Sequence, residues 1–467
     1  MPSLGENGGK EMTELAHALH RPVEAVELDR EIRKLAWPAI AEMVLHTCVW
    51  TVDTAMVGRL GAEALSAVGL GGNVYSTCAW IFAAIGVGVQ AMVARAVGAE
   101  DAEEAGFSAG QGLLAGFVLG ALLAVCTVVA APWVYRLAGF ARDVSGPGSD
   151  YMRIVGAGAL FFIPLQVGSA ILRGSGDTRT PLYITMVMNS LNLVGDYVLI
   201  FGVLGFPALG VQGAAIATFA AHVIGGILTF RAVFRKNGAV HLRARHVLRI
   251  DGPTLRSLIR LGLPAAAEEG LMNGSRVVSS FIIAGLGTAA FAANQVTVAA
   301  ESLSFMPGYG FAVAAGILVG HNLGAGKAGR AVQVGYRALR HSLAVMGSVA
   351  VAFFLAPRLI IGVFTSDPAV VQVASVCLRI AAFEQVFIGM TDTLCGSLRG
   401  AGDTRTALVI TAAGTWLVRM PLVILAIYVF RLGLPAVWVV TCIDWAVRSA
   451  LAARHFRAGR WQTARVH

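Results

Sequence analysis

Acidic residues inside apolar stretches are the feature of this 467-residue chain with the clearest chemical meaning. Asp53 lies within CVWTVDTAMVG, and Asp196 lies within MNSLNLVGDYV. An ionisable side chain in hydrocarbon is costly, so each such acid is a candidate functional residue. Asn189, Asn192 and Asp196 recur at i, i+3 and i+7, which places all three on one face of a helix.

The first apolar segment presents a similar polar face, because Glu42, His46 and Asp53 recur at i, i+4 and i+11. If this face meets the polar face of the fifth segment, two carboxylates and two amides form one site. Oxygen ligands suit a hard cation, and two close carboxylates can share a proton. We therefore predict a site for a proton or a sodium ion. The alternative is a hydrogen-bonded cluster that braces two helices.

Three further ionisable residues are candidates for a proton relay or a gate: Glu42, His46 and Glu268. For His46 the alternative is a core histidine with satisfied hydrogen bonds. For the two glutamates, which each lie four residues after a proline, the alternative is packing near the inner end of a helix.

The second half of the chain carries a different set of buried charges. Glu269 with Arg276 at i+7, and Asp444 with Arg448 at i+4, are predicted as structural ion pairs. Some residues are candidates for the lining of a substrate cavity, because acids attract cations and methionines form an adaptable apolar wall. They are Glu269, Glu301, Asp392, Met272 and Met306. Prolines that remove helical hydrogen bonds are candidate hinges, namely Pro38, Pro264 and Pro307.

The composition places these residues in a membrane. Only 13% of the residues are charged, against roughly 25% in a soluble domain, and the mean hydropathy is +0.71. Twelve apolar segments are long enough to cross a bilayer, and lipid-facing segments must be helical. They are 34–57, 66–94, 107–132, 151–172, 181–202, 211–234, 259–284, 291–320, 331–355, 374–397, 406–430 and 434–454. The predicted fold is an all-α polytopic membrane protein.

The distribution of basic residues predicts the orientation. Arginines crowd both ends of the chain and the connection between the sixth and seventh segments, whereas loops of the opposite parity hold few. This positive-inside pattern predicts that both termini are cytoplasmic. It also accounts for the net charge of +9 without a nucleic-acid partner.

The first 28 residues lack the apolar core of a signal peptide. The six cysteines lie in apolar segments without CxxC spacing, so neither a disulfide nor a metal or other cofactor is expected.

An internal repeat predicts the architecture. LRGSGDTRTP at 172–181 returns as LRGAGDTRTA at 398–407, and the same 226-residue offset brings Pro38 onto Pro264 and Glu42 onto Glu268. We predict an N-terminal tail (1–29), a six-helix N-lobe (30–232), a basic linker (233–255), a six-helix C-lobe (256–458) and a C-terminal tail (459–467). Six spans in each half predict a pseudo-two-fold axis along the membrane normal, with substrate between the lobes.

The offset also shows that the acids of the predicted ion site have no equivalent in the second half. Asp53 corresponds to Ser279 and Asp196 to Leu422, so the ion site is not duplicated. The repeated string itself is interpreted as a tight turn and not as a phosphate-binding loop, because the GxxxxGK[ST] spacing is missing. We expect Arg173 to pair with Asp177 across this turn, and Thr180 to cap the next helix.

Several motifs in order resemble one transporter family. They are the two LRGxGDTRT strings, VDTAMVG at 52–58, SFMPG at 304–308 and VGHNLGAG at 319–326. Together they resemble the multidrug and toxic compound extrusion (MATE) family, prokaryotic type, over residues 30–455. The resemblance implies a twelve-helix exporter that exchanges cationic, amphiphilic drugs for H⁺ or Na⁺. It implies ion coupling at Asp53, Asn192 and Asp196, with a hydroxyl from the sixth helix, for which Thr218 is the candidate.

The expected protein is therefore a monomeric antiporter in the inner (plasma) membrane, and not an enzyme. A flippase of lipid-linked precursors with related two-lobe architecture is the alternative, but it would need a basic cavity, whereas the interior here is rich in acids. A major-facilitator transporter also has two six-helix halves, but the repeated LRGxGDTRT string is not expected there. A membrane-embedded enzyme lacks a nucleophile–base or metal constellation in this sequence.

Overall fold

The computed structural model describes residues 22–235, 240, 242–302 and 304–464. Its architecture is a bundle of twelve long helices, which we number α1 to α12. The first six are α1 (Pro22–Gly58), α2 (Ala62–Gly98), α3 (Ala102–Leu137), α4 (Arg142–Ala157 and Ala159–Gly174), α5 (Arg179–Phe201) and α6 (Val211–Val233). The second six are α7 (Gly252–Ala284), α8 (Thr288–Ser302 and Phe305–Gly324), α9 (Ala328–Leu355), α10 (Pro368–Gly400), α11 (Thr404–Val429) and α12 (Leu434–Arg457).

Eleven of these helices are long and apolar enough to cross a membrane when each bent pair counts as one span, within the described residues. The twelfth, α7, carries Arg260, Glu268, Glu269 and Arg276, which lowers its apolarity. Its position in the repeat and its packing against α2 and α11 nevertheless make it the seventh member of the bundle. The predicted all-α, twelve-helix fold is confirmed. The outer parts of the predicted tails, 1–21 and 465–467, lie outside the described residues.

Two of the helices, α4 and α8, are bent between two parts. The two parts of α4 meet at 44° at Gly158, and the two parts of α8 flank position 303. Pro38 and Pro264 lie inside α1 and α7, as a hinge requires. Pro307 instead lies in the first turn of the second part of α8, where a missing N–H costs little. Pro307 lies close to the bend between the two parts of α8, and its role as a hinge stays a prediction.

The repeated glycine-rich strings form matching turns, with Gly176 at φ +90° and Gly402 at φ +89°. The predicted capping of the first turn is wrong in detail. Asp177, not Thr180, caps α5, because its Oδ1 accepts hydrogen bonds from the N–H groups of Arg179 (3.0 Å) and Thr180 (2.9 Å). The predicted pair of Arg173 with Asp177 is also wrong, since Arg173 binds a glutamate of α1.

The linker is fastened to α3. His246, in the short helix Ala244–Leu248, is 1% exposed and lies over Gly106 and Gly110 of α3. The Gln111 amide donates hydrogen bonds to the carbonyl oxygens of His246 and Arg249, both at 2.9 Å. We call the end of the bundle that carries this linker and the two glycine turns the linker end. Lys236, a further basic residue of the predicted linker, lies outside the described residues.

The two halves pack closely at the linker end through the ends of α2 and α8. A Cβ at Gly98 would lie 2.1 Å from the carbonyl oxygen of His321, and a Cβ at Gly324 would lie 2.1 Å from that of Arg95. Gly98 and Gly324, like Arg95 and His321, differ by the 226-residue offset of the repeat. The two contacts are thus related by pseudo-two-fold symmetry. They hold the halves together at this end.

Candidate ion-coupling site

Asp53 of α1 and Asp196 of α5 lie close enough for their carboxyl groups to hydrogen-bond to each other. Asp196 is 1% exposed, whereas Asp53 is partly exposed. Both acids lie toward the ends of their helices that point away from the linker end. A hydrogen bond between two carboxyl groups requires a proton on one of them, because an ionised carboxylate only accepts. We call Asp53 and Asp196 the N-terminal carboxyl pair.

Few protein donors reach this pair. Asp53 Oδ1 and both carboxyl oxygens of Asp196 are buried, and within the described residues no N–H or O–H group donates a hydrogen bond to them. A buried oxygen without a donor is costly. These oxygens have no hydrogen-bond partner among the described residues, so the pair needs a proton or a bound cation to be satisfied.

The two neighbouring asparagines differ in what they contact: Asn189 holds two helices together, and Asn192 lies at the site. The Asn189 side chain donates to the carbonyl oxygen of Leu45 on α1 at 3.1 Å, which holds α5 against α1. The Asn192 side chain donates to Thr218 Oγ1 of α6 at 3.5 Å. Helices α1, α5 and α6 therefore bring Asp53, Asp196, Asn192 and Thr218 together, as the sequence predicted, while Asn189 contributes a contact between helices.

Tyr151 of α4 was missed by sequence reasoning. It lies within electrostatic reach of both members of the N-terminal carboxyl pair and packs beside Val57 of α1 and Ile200 of α5. Its hydroxyl adds a potential proton donor on the side of α4. Nothing in the spacing of the fourth segment distinguishes this tyrosine, because it is the first residue of a long apolar run.

His46 lies in an aromatic cluster and not against the N-terminal carboxyl pair. Its ring lies 5.6 Å from Trp80 of α2, and this cluster continues through Phe162 to His222 of α6. His222 Nδ1 is buried without a hydrogen-bond partner among the described residues. A relay through His46 stays a prediction, and His222 is a second histidine of the cluster that spacing did not single out.

The two glutamates four residues after the prolines form equivalent buried ion pairs. Glu42 binds Arg173 Nη1 at 3.1 and 3.3 Å. Glu268 binds Arg399 at 2.7 and 3.3 Å and accepts a hydrogen bond from Thr411 at 2.8 Å. Each pair ties the first helix of a half to the end of its fourth helix, beside the glycine turn. This geometry favours a structural role, and a role in gating stays a prediction.

Two of the C-terminal candidates, Glu301 and Glu269, have hydrogen-bond partners that the sequence did not predict. Glu301 is 7% exposed and accepts a hydrogen bond from Gln385 at 3.3 Å, and its place in the substrate cavity stays a prediction. Glu269 accepts a hydrogen bond from Asn273 at 3.0 Å, and no ion pair with Arg276 occurs among the described residues. The predicted ion pair of Glu269 with Arg276 is therefore wrong.

The remaining C-terminal residues agree better with expectation. The pair of Asp444 with Arg448 is confirmed at 2.7 and 2.8 Å. Asp392, Met272 and Met306 are partly exposed, as cavity residues must be. Met306 also contacts the first half, since its sulfur accepts from Thr47 Oγ1 at 3.8 Å.

The arrangement can bind a small monovalent cation. The carboxyl pair, an amide and a hydroxyl supply oxygen ligands of the kind that hard cations prefer. The described residues contain no group of three or more His, Cys, Asp or Glu side chains that could hold a metal ion together.

Comparison with known proteins agrees with the repeat and the fold. The MatE family model matches residues 38–198 and 264–425, and the two matches begin one repeat offset apart. A probable multidrug resistance protein NorM of Thermotoga maritima is 31% identical over 440 residues, covering 94% of each chain. The multidrug resistance protein NorM of Burkholderia vietnamiensis is 29% identical over 435 residues, covering 90% of each chain.

A solved outward-facing multidrug resistance MATE family transporter of the MOP superfamily has a TM-score of 0.86 at 23% identity, covering 93% of this chain and 97% of that one. This likeness shows a shared fold. The family match spans both halves, and the relatives cover nearly the whole chain. The chain belongs to the MATE family of efflux transporters.

Proposed function

We propose that this protein is a secondary active multidrug antiporter, which exports cationic amphiphilic compounds in exchange for H⁺ or Na⁺. The observation that carries the proposal is the N-terminal carboxyl pair, whose buried oxygens lack protein donors. An ionisable pair inside a membrane bundle marks an ion pathway. The names of the relatives, multidrug resistance proteins, support drugs as the exported cargo.

Coupling follows from the electrostatics of the pair. Without a cation, two adjacent carboxylates repel each other and push α1 away from α5. With a proton or Na⁺ between them, the two helices approach. Pro38 lies inside α1 between the ion pair at Glu42 and the start of the helix, so α1 can bend there. A cation drives the change only as far as it binds one conformation more tightly than the other.

The linker end is the cytoplasmic end in this proposal. Arginines concentrate there, which is the positive-inside pattern of a plasma-membrane protein. The glycine contacts of α2 and α8 close the path between the halves at this end. Substrate then binds between the halves, near Asp392, Met272 and Met306, and leaves toward the opposite end. We expect a monomer, since one chain holds both halves of the path.

The proposal is tested by dye efflux from energised vesicles, measured separately under a proton gradient and a sodium gradient. Asp53→Asn and Asp196→Asn keep the side-chain volume and remove the charge, and each should abolish gradient-driven efflux while expression stays normal. Glu63→Gln, on the exposed start of α2, is the matched control and should leave efflux unchanged. Normal efflux by the Asp53→Asn protein under both gradients would sink the proposal.

A further inference from the structure

A basic cleft lies at the linker end, between the starts of α1 and α5. Its volume is about 710 Å³, within the range of roughly 300–1,000 Å³ that is usual for small-molecule sites. Four exposed basic residues line it, three from α1 and one from α5. They are Arg30, Arg33, Lys34 and Arg179. The cleft therefore gathers positive charge from two helices, away from the N-terminal carboxyl pair.

The positive charge of this cleft exceeds the negative charge around it. None of the four basic residues forms an ion pair with another residue that the structure describes. Two acids, Glu27 and Glu31, also line the cleft, but Glu31 lies 3.5 Å from Arg330 of α9 and is already paired. Basic pockets between membrane helices at the cytoplasmic surface bind the headgroups of anionic lipids. The charge of this cleft therefore suits an anionic ligand.

The cleft lies at the level of the membrane surface. Helix α5 has 23 residues and is therefore about 34 Å long, close to the roughly 30 Å of the hydrocarbon layer. Arg179, its first residue, thus lies at the boundary between lipid and water. Trp37 of α1 is 56% exposed beside the cleft, and Tyr183 of α5 is 61% exposed one turn after Arg179. Such aromatic residues are typical of membrane interfaces, so lipid phosphates lie at the height of this cleft.

Three of the four basic residues return in the second half at the 226-residue offset of the repeat. Arg30, Lys34 and Arg179 have exposed basic counterparts at the starts of α7 and α11. They are Arg256, Arg260 and Arg405. The acids of the N-terminal carboxyl pair have no such counterparts. The basic residues therefore belong to the surface that both halves present at the linker end, and not to ion coupling.

We propose that the cleft between α1 and α5 binds the phosphate headgroup of an anionic phospholipid. Arg30 and Arg179 bind the phosphate from two helices, since a guanidinium group donates paired hydrogen bonds to phosphate oxygens. Arg33 and Lys34 add positive charge. Pro38 also lines the cleft, so a bound headgroup bridges α1 and α5 beside this candidate hinge. The lipid site goes beyond the proposed antiport and does not depend on it.

Quenching of tryptophan fluorescence by brominated lipids tests the site in the full-length protein, reconstituted in vesicles of phosphatidylcholine and phosphatidylglycerol. One of the two lipids carries the bromine atoms, and the part of the quenching that Trp37→Phe removes reports the lipid at the cleft. Brominated phosphatidylglycerol should quench Trp37 at a lower mole fraction than brominated phosphatidylcholine. Arg30→Gln/Arg179→Gln should lower this preference by roughly 25-fold, because each basic residue at an anionic surface strengthens binding by about fivefold.

Two further variants distinguish a headgroup site from general surface charge. Arg454→Gln/Arg457→Gln removes two exposed charges at the end of α12 and should leave the preference unchanged. Arg30→Lys/Arg179→Lys keeps the charge of the cleft and should keep most of the preference. A thermal melt of each variant establishes that it is folded. An equal loss in Arg454→Gln/Arg457→Gln, or no loss in Arg30→Gln/Arg179→Gln, would overturn the proposal.

Two comparisons identify the source of the phosphate and separate this site from ion coupling. Sodium phosphate should relieve the quenching no more than sodium chloride of the same ionic strength. Selective relief by phosphate would assign the cleft to free phosphate and would overturn the lipid assignment. Asp53→Asn/Asp196→Asn should show the wild-type preference for phosphatidylglycerol, whatever its efflux, so failure of the lipid site and failure of the proposed antiport give different results.

Discussion

Replacing Gly324 with alanine should open the bundle at the linker end. A Cβ at this position would lie 2.1 Å from the carbonyl oxygen of Arg95 and 2.9 Å from the backbone nitrogen of Ala99. These are backbone atoms, so no side-chain rotation relieves the clash. Ordinary van der Waals contact begins near 3.4 Å, and the ends of α2 and α8 must therefore separate by about 1.3 Å, the difference between those two distances.

The energetic consequence follows from the packing. Overfilling a tight contact costs about 1–3 kcal/mol, which corresponds to a roughly 5- to 150-fold fall in the population of the closed linker end. Gly98→Ala should act in the same way, because its Cβ would lie 2.1 Å from the carbonyl oxygen of His321. The pseudo-symmetry of the two contacts thus predicts matching effects from positions 226 residues apart.

Hydrogen–deuterium exchange of the turns at 99–101 and 325–327 measures this opening. Both turns should exchange faster in Gly324→Ala and in Gly98→Ala than in the wild type. Gly329→Ala is the control, since a Cβ there meets nothing within 4 Å and it lies in the same region at the start of α9. If Gly324→Ala exchanged no faster than Gly329→Ala, the glycine contact would not hold this end closed.

Three further predictions concern stability. Glu42→Gln and Glu268→Gln each strand a partly buried arginine, so each should cost about 3 kcal/mol and lower the melting temperature. Gly106→Ala places a Cβ 2.5 Å from the His246 ring, so the linker should detach and limited proteolysis should cleave it faster. Asp251→Ala removes the N-cap of α7 and should cost about 1 kcal/mol. The hydrogen bonds from Thr254 lower the pKa of Asp251. The cap therefore stabilises the protein fully at a pH above 3.8, the ordinary pKa of the group, and this stabilisation is lost as the pH falls through the lowered pKa. Thermal melting at a series of pH values measures the loss.

The features that sequence alone predicted share a simple physical origin. Hydrocarbon thickness and backbone hydrogen bonding determine the length and type of each span, so the twelve helices were predictable. A fixed register over two homologous halves made the equivalence of Glu42 with Glu268 visible before their ion pairs were known. The meeting of Asp53 with Asp196 followed from the cost of burying an unpaired acid.

The features that sequence did not predict depend on contacts between distant segments. Closeness along the chain suggested that Arg173 would bind Asp177 across the turn, but Arg173 binds the α1 glutamate and Asp177 caps α5. In the sequence, Glu301 is the only acid of its helix. Only the packing of α8 on α10 shows that it lies close to Glu384. Tyr151 carries no periodic pattern that would link it to the N-terminal carboxyl pair.

The most direct test of the central claim is cation movement driven by a drug gradient across proteoliposomes. The N-terminal carboxyl pair should couple the two fluxes, so an imposed gradient of a cationic drug should drive H⁺ or Na⁺ in the opposite direction. Asp53→Asn/Asp196→Asn should lose this counterflow, whereas Glu63→Gln should retain it. Drug-driven cation flux that is undiminished in the Asp53→Asn/Asp196→Asn protein would contradict the assignment of coupling to this pair.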